Sequence, residues 1–173
     1  MTDYRDFSFG LYEKALPADL SWPERLEQAR EAGYDFIEIS IDESDERLSR
    51  LDWDSQEKRK LREAVDETGV FIPTMCLSGH QRYPIGSTYP EIQKKGMEIM
   101  DKAIRFASET GIRIVELAGY DSWYDEPSTE ETAANFLRNL ETSIKWASRL
   151  GVHLAIENIG VEFMNSLEKV MRY

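Results

Sequence analysis

The sequence predicts an α/β protein in which parallel strands alternate with helices, and three observations carry that prediction. Four helix-like stretches end in glycine and turn at once into a short apolar run: Gly33-Tyr-Asp-Phe-Ile-Glu, Gly69-Val-Phe-Ile-Pro, Gly111-Ile-Arg-Ile-Val-Glu and Gly151-Val-His-Leu-Ala-Ile-Glu. Glycine just past a helix end takes the left-handed cap at little cost, and a strand that begins within two residues of it is the αβ half of a βαβ unit. Apolar residues at helical spacing fill the stretches before the glycines. Residues able to do chemistry gather just after the apolar runs.

Taken in order, the first strand is expected over Phe7 to Tyr12, followed by the loop Glu13-Lys14-Ala15-Leu16-Pro17. Ser21 caps the first helix with Pro23 in its first turn, and Leu26, Ala29 and Ala32 form its stripe. Phe36 to Ile41 is the second strand, and the acidic stretch Asp42, Glu43, Asp45, Glu46 after it reads as a solvated turn, with Glu43 toward the mouth. A helix over Ser55 to Thr68 turns Leu61, Ala64 and Val65 inward. The third strand, Val70 to Leu77, leads into a long loop, Ser78 to Tyr89. The next helix starts near Pro90 with Met97, Met100, Ala103, Ile104 and Ala107 on one face. Ile112 to Leu117 is the fourth strand. Ser128-Thr-Glu-Glu131 reads as a capping box for a helix that buries Phe136, Leu137, Leu140, Ile144 and Ala147. Val152 to Ile156 is the fifth strand, and a further helix begins at Asn165-Ser166-Leu167.

Two architectures accommodate such repeats. An open doubly wound sheet advertises a glycine-rich phosphate loop after its first strand, but Glu-Lys-Ala-Leu-Pro stands there. In a TIM (β/α)8 barrel the chemistry sits on the loops at the strand C-termini. Those positions here hold Tyr12-Glu13-Lys14, Ser40-Asp42-Glu43, Ser78-His80-Arg82, Tyr120-Asp121 and Glu157-Asn158. The barrel is therefore the expected fold. Closing one takes eight strands and about 250 residues, so residues 1–173 read as the first five-eighths of a single barrel domain.

Composition narrows the function. The chain has 173 residues, 41% hydrophobic and 31% charged, and a net charge of -12. That acidity repels phosphate backbones and argues against nucleic acid as partner. No apolar stretch approaches a membrane span, and Met-Thr-Asp-Tyr-Arg-Asp at the amino terminus has no signal-peptide core. A single cysteine, Cys76, excludes an internal disulfide and suits a cytoplasmic setting.

Glu157 ends an apolar strand and would point at the barrel mouth, where a carboxylate suits a hard divalent cation such as Mg²⁺ or Mn²⁺. A strand-end Glu paired with a neighbouring Lys or Arg is the plainer reading. Glu38 and Glu116 are mid-strand carboxylates and read as parts of a barrel-lining network. His80 could hydrogen-bond a sugar hydroxyl and Arg82 could hold a phosphate, against the alternative of two surface residues. Lys14 adds a second cation near Arg82. Tyr12, Tyr120 and Trp123 could pack on a sugar face, although lone aromatics more often belong to a core. Cys76 reads as a buried small apolar side chain and His153 as facing a helix.

Together, Gly10-Leu-Tyr-Glu-Lys-Ala-Leu-Pro17, Asp42-Glu-Ser-Asp-Glu-Arg-Leu-Ser-Arg-Leu-Asp-Trp53, Met75-Cys-Leu-Ser-Gly-His80-Gln-Arg82, Leu117-Ala-Gly-Tyr-Asp121 and Met164-Asn-Ser166 resemble the L-ribulose-5-phosphate (L-xylulose-5-phosphate) 3-epimerases of the xylose-isomerase-like barrels. The resemblance implies an isomerase of pentose and L-ascorbate catabolism acting on a small-molecule sugar phosphate. It implies a divalent metal (Mn²⁺, Mg²⁺ or Zn²⁺) and admits a homodimer. Glu157 matches the first of the family's four metal ligands and would also be catalytic, and the other three would lie beyond Tyr173. Tyr12, Glu13, Lys14, His80, Arg82 and Tyr120 would bind substrate. The family's Glu-Ile-Met-Asp after the fifth strand reads Glu157-Asn-Ile-Gly160 here, a local departure. Epimerisation at C3 requires a C2 carbonyl to acidify the C3 hydrogen, a metal to stabilise the enediolate, and two carboxylates on opposite faces. A chain with this much of the site alone is expected to be inactive. The alternatives are a non-catalytic barrel remnant, a related barrel sugar isomerase, and a zinc endonuclease for abasic DNA, which needs more histidines than His80 and His153.

Overall fold

The computed structural model describes residues 7–122 and 124–173. Five parallel strands form one sheet in the order β1-β2-β3-β4-β5: Gly10–Tyr12, Phe36–Ile41, Phe71–Leu77, Ile114–Ala118 and His153–Glu157. Each strand pairs with the one before it in sequence, from Gly10 opposite Phe36 through to Ala118 opposite Glu157. Strand 1 at one edge is the barrel order and rules out the doubly wound alternative, in which it lies inside the sheet.

Six helices accompany the strands: α1 (Trp22–Glu31), α2 (Asp45–Ser49), α3 (Ser55–Thr68), α4 (Pro90–Thr110), α5 (Glu130–Leu150) and α6 (Leu167–Val170). The four glycines on which the prediction rests, Gly33, Gly69, Gly111 and Gly151, all have φ between 67° and 87°, the left-handed cap expected of them. The strands start one to three residues later than expected at β1, β3, β4 and β5, and at the last three the glycine cap and the turn behind it consume those residues. Phe7 and Phe9 are exposed, and the Phe9 amide donates to Asp35 instead of a ladder partner. The acidic stretch is no plain turn: Ser44 caps α2, accepting from the Arg47 amide. The capping box of α5 is Thr129 with Thr132, one residue on from the expected pair, and frees the Ser128 hydroxyl to donate to Asp121.

Alternation sorts the strands into two faces. Ile37, Ile39, Ile41, Met75, Leu77, Val115 and Leu117 are buried against Leu26, Leu61, Met100, Ile104, Phe136 and Leu140 of the helices. Each such side chain contributes about 1.5–3 kcal/mol by leaving water. Two members of the expected α5 stripe are corrected: Leu137 is 39% and Ile144 45% exposed. They lie on the flank of α5 that no neighbouring helix covers among the described residues. Ala32 is exposed too, since it forms the C-cap of α1 and not its body.

Candidate functional site

The second sheet face carries the chemistry. Register places Tyr12, Glu38, Ser40, Thr74, Cys76, Glu116, Ala118, Ala155 and Glu157 on it. His153 shares the parity of Glu157 and is exposed beside Ile114, so it faces the interior and not a helix, at the end of β5 remote from the rim. Cys76 is half-buried among polar groups, not a core filler: its neighbours Met75 and Leu77 face the helices and leave it the other side.

Glu38, Glu116 and Glu157 stand on β2, β4 and β5, and among the described residues no Lys or Arg pairs with any of them. Burial raises the Glu116 carboxyl above the ordinary range, and repulsion from Glu38 and Glu157 raises it further. Burial likewise raises the Tyr120 hydroxyl, with Glu157 the next contributor, so Tyr120 looks onto the same acidic wall. Glu157 itself is exposed at the C-terminal end of β5. Trp123 lies outside the described residues.

Two expected substrate residues are placed elsewhere. Glu13 follows β1 but is 0% exposed. Its carboxylate is met by Arg25 at 2.9 Å, Arg47 at 2.8 Å and Arg50 at 2.8 Å, and accepts the Ser40 amide at 2.8 Å. Arg25 and Arg50 also lie over the Trp22 ring, 5.6 and 5.7 Å from its centroid. With its oxygens enclosed by cations, Glu13 has no free lone pair to offer a substrate. Although burial works the other way, these partners hold its carboxyl below the usual range. His80 is likewise enclosed, its Nε2 3.1 Å from the Gly96 carbonyl of α4. Burial pushes its pKa down to about 4, so the ring is neutral near pH 7. It braces the β3–α4 connection against α4, where a Cβ on Gly96 would come within 2.3 Å of the Tyr83 carbonyl oxygen.

Lys14 and Arg82 do lie at the rim. A cleft of about 590 Å³ runs between them, lined also by Asp42, Ser44, Ser78 and Gln81. Both cations are half-exposed and already paired, Lys14 with Asp42 at 2.6 Å and Arg82 with Asp45 at 2.9 Å. Arg47 adds a longer contact to Asp42, 3.5 Å, and Lys14 and Ser44 hold the Asp42 pKa down to about 2 despite partial burial. Glu43 does reach the mouth, where the Tyr124 hydroxyl donates to it across the rim. A second cleft, about 330 Å³, continues past Tyr120, Ser122 and Phe163. A separate groove of about 480 Å³, lined by Trp22, Trp53 and Leu61, lies between α1 and α3, away from the strand C-termini.

Sequence reasoning listed Ser40 at the rim without a role, read Cys76 as apolar, and missed the arginine trio. Strand alternation could have placed the first two, since residues two apart share a face. A divalent cation needs several oxygen or nitrogen donors held together. Among the described residues no three His, Cys, Asp or Glu side chains are grouped to hold one. The described residues do not by themselves fit the implied metal; Glu157 offers one ligand.

Comparisons with known proteins agree with this geometry. Proteins named L-ribulose-5-phosphate 3-epimerase UlaE, from Escherichia coli O157:H7 and Salmonella heidelberg, are 48% identical over 169 residues, 98% of this chain. The chain spans 59% of the length of these curated relatives. Among solved structures, 3-keto-D-glucoside 4-epimerase YcjR from E. coli superposes with a TM-score of 0.76 at 18% identity, over 96% of this chain and 63% of that one. L-ribulose 3-epimerase does so with a TM-score of 0.72 at 18% identity, over 96% and 56%. At such identities the superpositions speak for the fold alone. The model of the xylose isomerase-like TIM barrel matches residues 26–173. With its five strands in barrel order and its polar groups at their C-terminal ends, the chain belongs to the xylose isomerase-like TIM barrel family.

Proposed function

We propose that this chain supplies the first five strands of an isomerase that interconverts L-ribulose 5-phosphate and L-xylulose 5-phosphate at C3. The observation that carries the reading is the 48% identity to UlaE proteins along 98% of the chain. The uncompensated carboxylates of the inner face support it.

The C3 hydrogen of a 2-ketose is acidic because the neighbouring carbonyl spreads the charge left when the proton departs. One carboxylate removes that proton, and a proton delivered to the opposite face of the enediolate completes the inversion. Glu157 is the residue of this chain suited to transfer one of them: it ends β5 on the inner face, and among the described residues no cation pairs with it. Tyr12 and Tyr120 flank the same space and offer hydroxyls to the sugar. Lys14 and Arg82 would hold the 5-phosphate, which would compete with Asp42 and Asp45 for them. Glu13 and His80 act behind this set, as props. Glu157 is also the one ligand the chain gives a divalent cation, the others coming from outside residues 1–173. A cytoplasmic setting, which the one reduced thiol suits, and a homodimer belong to the same reading. Among the described residues no helix is long and apolar enough to cross a membrane.

The test joins residues 1–173 to the part of an UlaE relative beyond the matched region and assays both pentulose phosphates with Mn²⁺ and Mg²⁺. Turnover that disappears in Glu157→Gln, and is absent from residues 1–173 alone, is the expected result. A folded joined protein with no turnover, or turnover equal on L-ribulose and its 5-phosphate, would reject the reading.

A further inference from the structure

In the cleft between Lys14 and Arg82 the chain supplies its own anions. Lys14 Nζ, after β1, holds Asp42 Oδ2 at 2.6 Å. Arg82, after β3, donates to Asp45 Oδ1 at 2.9 Å and to the Glu43 carbonyl oxygen at 3.2 Å. All three acceptors come from the junction of β2 and α2. Two carboxylates carry two negative charges, and a phosphate monoester carries about −1.5 to −2 near pH 7. The pair therefore stands in, charge for charge, for the group this end of the cleft would receive.

Both ion pairs can open without unfolding the segment that carries them. Ser44 fixes Asp42 by its other oxygen, the amide donating to Oδ1 at 2.9 Å and the hydroxyl at 2.6 Å. The Tyr124 hydroxyl holds Glu43 from across the rim and uses neither cation. The Asp45 side chain is 88% exposed, so water receives it once Arg82 is taken. Asp42 is more enclosed and needs a second cation, which Arg47 provides: its Nε is already 3.5 Å from the same Oδ2. Arg47 has donor capacity to spare, since its Nη1 lies 2.8 Å from Glu13 without being aligned as a hydrogen bond.

We propose that Asp42 and Asp45 set the selectivity of this end of the cleft, holding the place of a phosphate dianion until one displaces both and Asp42 passes from Lys14 to Arg47. The inference rests on the epimerase reading and adds a specificity device to it. A neutral hydroxymethyl group offers the cations nothing for the pairs it would separate. A monoanion replaces one carboxylate and leaves the other pair closed. Specificity of this kind comes from a built-in competitor as much as from the attraction to the right ligand.

Two measurements test this. The first needs no turnover: inorganic phosphate and acetate are titrated against residues 1–173 by NMR at pH 8 and constant ionic strength. The native chain should bind phosphate weakly and acetate not measurably. Asp42→Asn keeps the oxygen that Ser44 holds and frees Lys14, so it should tighten phosphate roughly tenfold and bring acetate into range. Asp45→Asn, at an exposed pair, should tighten phosphate about twofold. In a Lys14→Gln background Asp42→Asn should lose its effect. The second measurement uses the joined protein. There Asp42→Asn should lower KM for L-ribulose 5-phosphate several-fold and leave that for L-ribulose within about twofold. Equal binding of phosphate and acetate by the native chain, or a phosphate affinity unmoved by both aspartate variants, overturns the proposal. A folded but inactive joined protein overturns the epimerase reading instead, and the two titrations then decide the exchange by themselves.

Discussion

Two sets of carboxylates sit close to the same rim in opposite electrostatic surroundings. Glu13 is enclosed by Arg25, Arg47 and Arg50 and lies lower than an ordinary carboxyl. Glu116 faces Glu38 and Glu157, pairs with no cation among the described residues, and lies higher. An enclosed charge that is over-matched by opposite charges holds three distant segments in place. A like-charged group left unmatched stores repulsion that a cation or a proton can relieve, and binding and catalysis use such a reserve. The rim therefore divides its acids into those matched by cations and those left unmatched.

The strongest way to break this division is to neutralise the first set. Glu13→Gln leaves three enclosed guanidinium groups without their counter-charge and should cost about 3–5 kcal/mol in urea unfolding. A cost below about 1 kcal/mol would show that the hub is ornamental. Acid should act next, and through His80. Its pKa is about 4 in the folded chain against about 6.5 when unfolded. Between those values the unfolded chain binds more protons, so stability is full above pH 6.5 and falls by about 3 kcal/mol as pH drops to 4. His80→Gln should flatten the profile across that window. Glu116 works in the opposite sense: with its folded pKa raised, the folded chain binds more protons, so its contribution declines as pH climbs from about 4.5 through the folded value. Accordingly Glu116→Gln should stabilise by ~0.5 kcal/mol at pH 8 and by nothing at pH 4. Smallest of all, Glu157→Gln should move unfolding by less than about 0.5 kcal/mol, since the side chain is exposed. A larger loss would place Glu157 with the fold-building acids and remove it from the proposed chemistry.

What the sequence disclosed follows the same line. Gly33, Gly69, Gly111 and Gly151 were legible because a left-handed cap is a local demand, met by one residue type. Strand order came with them, as did the rim positions of Tyr12, Lys14, Arg82, Tyr120 and Glu157. The enclosure of Glu13 was not legible because its partners come from α1, α2 and the turn after α2, up to 37 residues away. No local pattern announces a charge that distant segments will enclose. The burial of His80 was hidden for a related reason: the carbonyl it meets belongs to Gly96, on the far side of a long loop. Cys76 and His153 are different cases. Their side of the sheet was available from alternation with Met75 and Leu77, and with Leu154 and Ile156, and residue chemistry was allowed to outvote it.

The sequential order of the sheet has a consequence for how the chain is made. Every strand pairs with the one synthesised just before it, so the ladder can be laid down as the polypeptide leaves the ribosome, without waiting for a distant segment. The Glu13 hub is complete once Arg50 has emerged, and it would lock β1 to β2 while β4 and β5 are still unmade. The last strand added always presents a bare edge, so at each stage that ladder is the growing point.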